Sequence, residues 1–425
     1  MNTETVQGLA GIVSSLAAGT YSLKLHGFSA IDRYLNVPAL PYLWAETNAD
    51  IAILARFIDN LRFPGIEIAD GAVDTSDGTL YFRCLDNDEK KEKTNFSFSL
   101  LSFSYNCQTR RFEDPLGVYP MLRELRDKKT IIKMNKDQTS PSFWENPIDE
   151  NFIPLQAIQS EGGRSRIIMD GALLLARYDL GETWIRSFSD TLIRIFGNAP
   201  GLSTEARLEP ESQRAFLSCL LVSPYPDRGL NFLRQTGFLG EIWPELAALN
   251  DVDHSKEFHP EGNVWDHTME TFQHRKPGAN GAYDLCLSLG LLLHDAGKPV
   301  SAAFGTRRFN GHAELGARAA SRFLERLEFE PSLVNDVYYL VHNHMLPAAL
   351  KQLPVKKTAE IMASPLFPIL MELYRCDESS SFKSLDEFYE NSAAYQTYLR
   401  NVRNPYRSAD GKKIGRNEMY IRKGK

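Results

Sequence analysis

The spacing of apolar residues changes along the chain and divides it into two parts. In residues 21–132 the apolar runs are short and turn residues separate them, and residues 79–85 have the composition of a β-strand. In residues 96–105, phenylalanine and leucine alternate with serine before the phase changes, which predicts a half-buried strand with a bulge. This part of the chain is therefore expected to be mixed α/β.

Beyond residue 150 apolar residues recur every three or four positions, the spacing of amphipathic helices. The clearest predicted helices are 205–221, 228–235, 285–294, 313–327 and 332–342. Residues 133–165 contain three prolines and a Gly-Gly pair, which favours a connection between domains. The predicted fold class is α+β, with a small mixed head followed by a mostly helical region.

Composition then excludes several classes of protein. The chain has 425 residues, enough for about two to four domains, and a net charge of −6, which argues against a protein coated in positive charge. No apolar run reaches the roughly eighteen residues that a membrane helix needs, and no secretory signal is expected. Five scattered cysteines without a C-x-x-C pair indicate neither disulfides nor a thiolate zinc site. We expect a cytoplasmic protein.

Histidine is the exception to this even composition, because eight of the nine histidines fall between residues 254 and 344. The predicted core helix ends in His294-Asp295, followed by Ala-Gly-Lys-Pro. An imidazole and a carboxylate at the end of a buried helix are costly unless something binds them, and a divalent cation would offset that cost. Imidazole and carboxylate donors without thiolates are compatible with Mg, Mn, Fe, Ni, Co or Zn.

The order of these residues resembles the ligand series H…HD…H…H…D of the HD metal-dependent phosphohydrolase superfamily. The matching residues are His267, His294, Asp295, His312, His344 and Asp377. His267, His294, Asp295 and Asp377 would bind one ion, and all six could hold two. The resemblance implies hydrolysis of phosphate esters, with catalytic roles for His294 and Asp295.

Two assignments stay open at this point. His342 and His344 are two positions apart, about 200° around a helix, so at most one faces a shared site unless the helix ends there. His344 fits the L-V-x-x-H pattern of the superfamily, and His342 is kept as a residue behind the ligands. Lys298 is a further catalytic candidate that could contact a phosphate, or an ordinary exposed lysine after a helix end.

A second resemblance covers more of the chain. Residues 205–246, together with F-H-P-E-G-N-V-W-D-H-T at 258–268, are similar to the bacterial tRNA nucleotidyltransferases, the CCA-adding and poly(A) polymerase family. Its D-P-x-G turn corresponds to Asp114-Pro115-Leu116-Gly117, and its Gly-Gly loop to His26-Gly27. Its Asp-x-Asp pair corresponds to Tyr42-Leu43-Trp44, and Asn95 takes the place of a third carboxylate. Since Tyr42 and Trp44 cannot hold magnesium, we interpret the head as having lost nucleotidyl transfer.

The combined prediction divides the chain into four segments. These are a degenerate nucleotidyltransferase-like head at 1–150, a helical neck at 151–250, an HD domain at 251–390 and a basic tail at 391–425. Residues 401–425 carry a net charge of +6, which could contact phosphates or belong to a frayed terminus.

Three functions fit this organisation, and none of them involves a membrane. The first is metal-dependent hydrolysis of a nucleotide or RNA terminus, and the second is nucleotidyl transfer to tRNA 3′ ends. The third is RNA binding without catalysis. The expected partners are a nucleotide or an RNA such as tRNA, and the expected cofactor is a divalent metal ion.

Overall fold

The computed structural model describes fourteen stretches of the chain. They are residues 8–37, 42–64, 69–76, 78–85, 99–123, 125–126, 163–180, 186, 190–191, 208–253, 262–278, 282–303, 309–381 and 384–414. Asn95, His254, His259 and the predicted boundary near 150 lie outside them.

The chain separates into two units, and the first holds every described strand. It comprises Met1–Ser212, Ser223–Glu241 and Pro277–Tyr283. Its strands and the helices between them are, in chain order, α1 Leu9–Ala18, β1 Leu23–His26, α2 Phe28–Leu35, β2 Tyr42–Thr47, α3 Ile51–Phe57, β3 Gly71–Thr75, β4 Gly78–Cys84, α4 Ser99–Ser102, β5 Ser104–Asn106 and β6 Arg111–Glu113. The helices that follow are α5 Gly163–Arg177, α6 Pro210–Leu221, α7 Pro226–Gln235 and α8 Phe238–Ile242, and most of α6 belongs to the second unit.

The six strands form one mixed sheet in the order β3-β4-β2-β1-β5-β6. Only the β2–β4 pair is parallel among these strands, and its register sets Trp44 beside Tyr81 and Glu46 beside Arg83. Leu23 and Leu25 of β1 are buried, and Lys24 and His26 alternate with them on the other face.

The predicted strand at 79–85 is confirmed. It corresponds to β4, Gly78–Cys84, which begins and ends one residue earlier than predicted.

The predicted strand at 96–105 is wrong in its middle part. Residues 96 and 98 lie outside the described part of the chain, and Ser99–Ser102 forms a short helix before β5 begins at Ser104. Leu100 and Phe103 are both fully buried, a three-residue spacing that matches a helical turn better than a strand. Because serines alternate with the apolar residues, the sequence has the two-residue period that is typical of a β-strand.

The regular elements in the described residues of the second unit are all helices. It comprises Gln213–Val222, Ile242–Lys276 and Asp284–Lys425. Its helices are α9 Pro244–Ala247, α10 Val264–Gln273, α11 Leu285–Leu293, α12 Lys298–Ala303, α13 His312–Arg326, α14 Pro331–Asn343, α15 Val355–Met362, α16 Phe367–Ser379 and α17 Asp386–Arg403, with short 3-10 turns at Ala248–Asp251 and Pro347–Ala349. The predicted mixed head and helical remainder are confirmed.

The five helices predicted from apolar spacing all occur. Their observed bounds differ by at most two residues from the predicted ones, except that α6 begins five residues after the predicted start. No helix in the described part of the chain is both long and apolar enough to cross a membrane.

Candidate metal centre

The core of the second unit is α11, whose nine residues LCLSLGLLL are buried from Leu287 onwards. The side chain of Asp284 accepts a hydrogen bond from Leu287 N at 2.6 Å and caps the helix. At Gly290 an added Cβ would lie 3.0 Å from the side chains of Leu340 on α14 and Leu373 on α16. Both neighbouring helices therefore approach α11 closely, one turn before His294.

This packing brings the predicted ligands together from five helix ends and faces. His267 lies on α10, which the Asn263 side chain caps, and Asp377 lies on α16. His294 directly follows α11, and His344 directly follows α14. His312 is the first residue of α13. His267, His294, Asp295 and His344 are each at most 2% exposed.

The side chains form two groups that share Asp295. One group is His267, His294 and Asp295, and the other is Asp295, His312 and His344, and within each group the ligand atoms lie within 4.8 Å of one another. Oδ2 of Asp295 is 3.3 Å from Nε2 of His294, whereas Oδ1 is 3.6 Å from Nε2 of His312 and 4.0 Å from Nε2 of His344. One carboxylate therefore faces both groups, with one oxygen toward each.

Asp377 lies beside the first group. Its Oδ1 is 2.9 Å from Nε2 of His267 and 3.8 Å from Nε2 of His294. Nδ1 of His267 lies 3.2 Å from the hydroxyl of Ser380, which itself donates to the Asp377 carbonyl at 2.6 Å. The hydroxyl can thus accept from Nδ1–H, which leaves Nε2 as the nitrogen that faces Asp377. No sequence pattern indicates this role for Ser380.

Three of the imidazoles are oriented by the same backbone contact. Nδ1 of His294, His312 and His344 lies 2.7–2.9 Å from the carbonyl oxygen three residues earlier, those of Leu291, Phe309 and Val341. Since a carbonyl can only accept, Nδ1 carries the proton in each ring. Each Nε2 then offers a lone pair to the centre.

These lone pairs fit a bound cation. The Nε2 atoms of His312 and His344 are 3.1 Å apart, and two unprotonated nitrogens at that distance repel unless a positive charge lies next to both. The separation is about that of two nitrogens on one ion with bonds of about 2.1 Å. Among the described residues, Nε2 of His294 is buried without a hydrogen-bond partner. The donor set therefore fits one or two divalent ions.

Lys298 lies within the cluster rather than on an exposed surface. Its ammonium is 2.5 Å from Oδ2 of Asp295 and 5.9 Å from the centre of the Phe309 ring. Burial opposes ionisation of Asp295, but this ammonium and the imidazole of His294 hold the pKa of the carboxyl well below its usual range. The carboxylate is therefore charged at neutral pH.

His342 and His274 lie away from these groups. The exposed His342 ring stacks on Tyr338 with ring centres 5.5 Å apart. His274 follows α10 half-buried, and its carbonyl accepts a hydrogen bond from Arg375 at 2.6 Å. The structure thus brings His344, and not His342, to the centre.

Two glycines set the position of His312. A Cβ on Gly297 would lie 2.0 Å from the carbonyl oxygen of His312 and 2.5 Å from the amide nitrogen of Gly316. Both obstacles are backbone atoms, so only glycine permits this approach between the turn after Asp295 and α13. Gly297 is part of the H-D-A-G motif, but its contact with the start of α13 depends on tertiary packing, which the spacing of residues does not reveal.

Acid is expected to destabilise the metal-free protein through His344. Burial and the neighbouring His294 lower the pKa of His344 from 6.5 to about 4. Between these values the unfolded chain binds a proton that the folded chain does not, so the free energy of unfolding falls with falling pH. We expect a loss of roughly 2 kcal/mol from this residue between pH 7 and pH 4.5, measured by urea denaturation.

The matched variants are His344→Asn and His342→Asn. The first should flatten the pH dependence over that interval, whereas the exposed second position should leave it unchanged. Equal slopes for wild type and His344→Asn would show that another group is responsible.

Comparison with known proteins finds one matching domain family and several similar proteins. Residues 264–366 match the HD domain family. The Multifunctional CCA protein of Halorhodospira halophila is 37% identical over 136 residues, which is 32% of this chain and 31% of that protein. The CC-adding tRNA nucleotidyltransferase of Thermus thermophilus is 32% identical over 206 residues, which is 46% of this chain and 45% of that protein.

These matches are partial, because the chain spans between about a third and a half of the length of these curated relatives. Among solved structures, the Bacillus stearothermophilus CCA-adding enzyme in complex with CTP covers 92% of this chain and 82% of its own, with a TM-score of 0.42 and 10% identity. That likeness is too low to carry an inference about function. On the sequence matches, residues 264–366 form an HD domain, and the matching parts of the chain are similar to CCA-adding tRNA nucleotidyltransferases.

Proposed function

We propose that the metal centre hydrolyses phosphate monoesters or diesters of a nucleotide or an RNA terminus. The observation that carries this proposal is the pair of ligand groups joined by Asp295, with one carboxylate oxygen facing each group. His267, His294 and Asp377 would hold one ion with Asp295, and His312 and His344 would hold a second. Bound divalent ions supply a water of lowered pKa and neutralise phosphate oxygens.

The chain's own residues would prepare the centre for an anionic substrate. Backbone carbonyls fix the tautomers of three imidazoles, so the ligands need no rearrangement before they bind. The Lys298 ammonium is 13% exposed and lies beside Asp295. We propose that it contacts a phosphate oxygen at the mouth of the centre as a point charge, since lysine provides three donors and no acceptor.

Hydrolysis is tested with protein loaded separately with Mg, Mn, Fe, Ni, Co or Zn. The substrates are 2′,3′-cyclic nucleotides, phosphomonoesters and short RNAs with phosphorylated ends, and release of phosphate or ring opening is measured. We expect turnover of at least one class, and its loss in His267→Ala and His312→Ala. No turnover by any fully metallated sample would refute the proposal.

The two single variants also report on the number of ions. If each group holds an ion, metal analysis should find that either variant loses one ion and keeps some of the other. His342→Ala is the matched control, because it removes an exposed imidazole from the same helical region. Complete loss of metal from His312→Ala would contradict two separately held ions.

Nucleotidyl transfer to tRNA 3′ ends is the second candidate, and the curated relatives favour it over hydrolysis because their names refer to this activity. The six-stranded sheet supplies a head of suitable type, and Asp114 holds its turn by accepting from Gly117 N, Val118 N and Tyr119 N at 2.8–2.9 Å. Both functions would use nucleotides or RNA in the cytoplasm.

We nevertheless propose that this head no longer transfers nucleotides. The acids near β2 support this, because each of them already has a partner within the protein. Glu46 lies 2.9 Å from Nε2 of His26, and Asp50 caps α3 through Ile53 N at 2.7 Å. Asp32 is buried against Arg177 and accepts from the Tyr178 hydroxyl at 2.8 Å. Trp44, in place of a carboxylate, stacks on Tyr81 with ring centres 4.8 Å apart.

The two candidates separate in one assay. Wild-type protein is incubated with Mg²⁺, labelled CTP or ATP and tRNA that lacks its CCA end, beside Glu46→Gln and Asp295→Asn variants. We expect no incorporation by any of them. Incorporation that Glu46→Gln abolishes and Asp295→Asn retains would establish the second function, and RNA binding with neither activity would leave a non-catalytic role.

A further inference from the structure

The ammonium of Lys298 lies on a carboxylate oxygen that a metal ion in the first group would also use. It is 2.5 Å from Oδ2 of Asp295, and the same oxygen is 3.3 Å from Nε2 of His294. Oδ1 of Asp295 lies instead 3.6 Å from Nε2 of His312. The lysine and an ion held by His294 would therefore share one oxygen, whereas an ion held by His312 would use the other.

Asp295 needs a positive charge beside it at all times. Its side chain is 2% exposed, and a buried carboxylate without a counter-charge is costly. Burial opposes ionisation, and the Lys298 ammonium contributes most to holding the pKa of this carboxyl well below its usual range. The ammonium thus gives Asp295 the compensating charge that a divalent ion would also supply.

The ammonium and a divalent ion compete for this oxygen. Two cations on one carboxylate oxygen repel each other, and water screens that repulsion little in a buried site. Among the described residues, Nε2 of His294 has no hydrogen-bond partner, so the ammonium does not use this nitrogen. An ion would bind both the nitrogen and the oxygen. The ion therefore gains more from the group than the ammonium does and displaces it.

The main chain at Lys298 is fixed, so displacement must be a movement of the side chain. Lys298 N donates to the Asp295 carbonyl at 2.9 Å, and Ser301 N donates to the Gly297 carbonyl at 2.9 Å. Gly297 itself packs against the start of α13. The lysine side chain has a long flexible stem and is 13% exposed. Its ammonium can therefore turn toward solvent while α12 stays in place.

Phe309 gives the ammonium a second contact near the centre. The ammonium lies over this ring, 5.9 Å from its centre, a distance at which an aromatic face attracts a cation. Phe309 has a φ of 48°, which is unfavourable for a bulky side chain, and its carbonyl accepts from both N and Nδ1 of His312. These bonds hold the ring beside the ligands, so a displaced ammonium keeps an attractive contact there.

We propose that Lys298 is the internal counter-cation of Asp295, that a divalent ion entering the first group displaces its ammonium, and that the displaced ammonium then binds phosphate. Phosphate in turn holds the lysine away from the carboxylate, so the two ligands favour each other's binding. The inference rests on the proposed function, because it needs the metal centre and an anionic ligand, but it concerns the order of binding and not turnover. Lys298 is then a positioning residue that makes the centre receptive to phosphate only after the ion is bound.

Binding of Mn²⁺ to the full chain tests the first step without catalysis. Metal is removed with EDTA, the EDTA is removed by dialysis, and isothermal titration calorimetry gives the Kd of Mn²⁺ for wild type and for Lys298→Met. Methionine keeps an unbranched stem without the charge. We expect the variant to bind the first Mn²⁺ at least about tenfold more tightly, because no ammonium has to leave the carboxylate. Lys298→Gln, a second neutral variant, should give the same change.

Binding of inorganic phosphate at saturating Mn²⁺ tests the second step. The neutral variants should bind phosphate at least about fivefold more weakly than wild type, because they lack the charged donor. Tighter metal binding together with weaker phosphate binding separates this inference from a structural role, since loss of packing would weaken both.

Lys351→Met is the matched control. Lys351 is 58% exposed and pairs with Glu390 in the same unit, so the substitution removes one positive charge away from the centre. It should leave both affinities at wild-type values. Unchanged or weaker Mn²⁺ binding by both neutral variants would overturn the inference alone. Absence of Mn²⁺ binding by wild type would overturn the proposed function as well, whereas tight binding without turnover would overturn only the proposed function.

Discussion

Replacing Asp295 by asparagine is expected to remove metal from both groups and to lower the rate of hydrolysis at least about 100-fold. Each oxygen of the Asp295 carboxylate faces a different group, so the side chain belongs to both. An asparagine keeps one oxygen and turns an NH₂ group toward the other set of imidazoles. That NH₂ is a donor where a negatively charged ligand atom was, so one group loses the Asp295 oxygen and the other keeps only a neutral one. Among the described residues, Asp377 beside the first group would then be the only carboxylate left to the two groups.

The control for this prediction is Asp266→Asn. Asp266 is half-buried on α10 directly before His267, and it belongs to neither ligand group. Metal content by mass spectrometry and turnover of a chromogenic phosphodiester should both stay near wild-type values in this variant. Full metal content together with full activity in Asp295→Asn would show that Asp295 does not join the two groups.

Replacing Gly297 by alanine is expected to lower the free energy of unfolding by about 3 kcal/mol, at the upper end of the usual cost of overpacking. The new methyl group would meet the His312 carbonyl at 2.0 Å and the Gly316 amide at 2.5 Å, and backbone atoms cannot rotate away. The start of α13 must then move, and His312 with it. Since Nε2 of His312 lies 3.1 Å from that of His344, binding at the second group should weaken more than at the first.

Gly240→Ala is the matched control for this substitution. Gly240 lies in α8, and an added Cβ there has no atom within 4 Å among the described residues. Alanine favours a helix over glycine by up to about 1 kcal/mol, so this variant should be as stable as wild type or slightly more so. Thermal denaturation and calorimetric metal titration of both variants test the pair. Unchanged stability and metal affinity in Gly297→Ala would rule out the close approach.

Helix positions were the most predictable part of the fold, because each buried face leaves a direct record in the spacing of apolar residues. α11 begins at the predicted residue and ends one residue early, and its all-round apolar sequence matches its burial. The alternation in residues 96–105 predicted a strand where Ser99–Ser102 forms a helix, because serine suits the solvent-exposed face of a strand and a short helix equally well. The predicted boundaries at 150, 250 and 390 stay predictions.

At the candidate site, residue types and chain order identified which side chains to examine, but not how they are oriented. Spacing alone left His342 and His344 open, and the end of α14 at Asn343 decides which of the two faces inward. No pattern of residue types or spacing indicates the contact of Ser380 with His267, or the close approach of Gly297 to Gly316. Each depends on which helices meet, and that is fixed by tertiary packing rather than by local sequence.

The carbonyls that orient His294 and His344 also decide how α11 and α14 end. Leu291 and Val341 lie in the last turn of their helices, where carbonyl groups lack amide partners within the helix, and the imidazole Nδ1–H satisfies them. In each histidine, Nδ1–H thus caps the end of the helix, and the same ring orients Nε2 toward the metal centre. Exchanging either for aspartate would keep a metal-binding atom but leave a buried carbonyl opposite a carboxylate. These two positions therefore require a side chain that donates at one end and accepts at the other, a condition that histidine meets and a carboxylate does not.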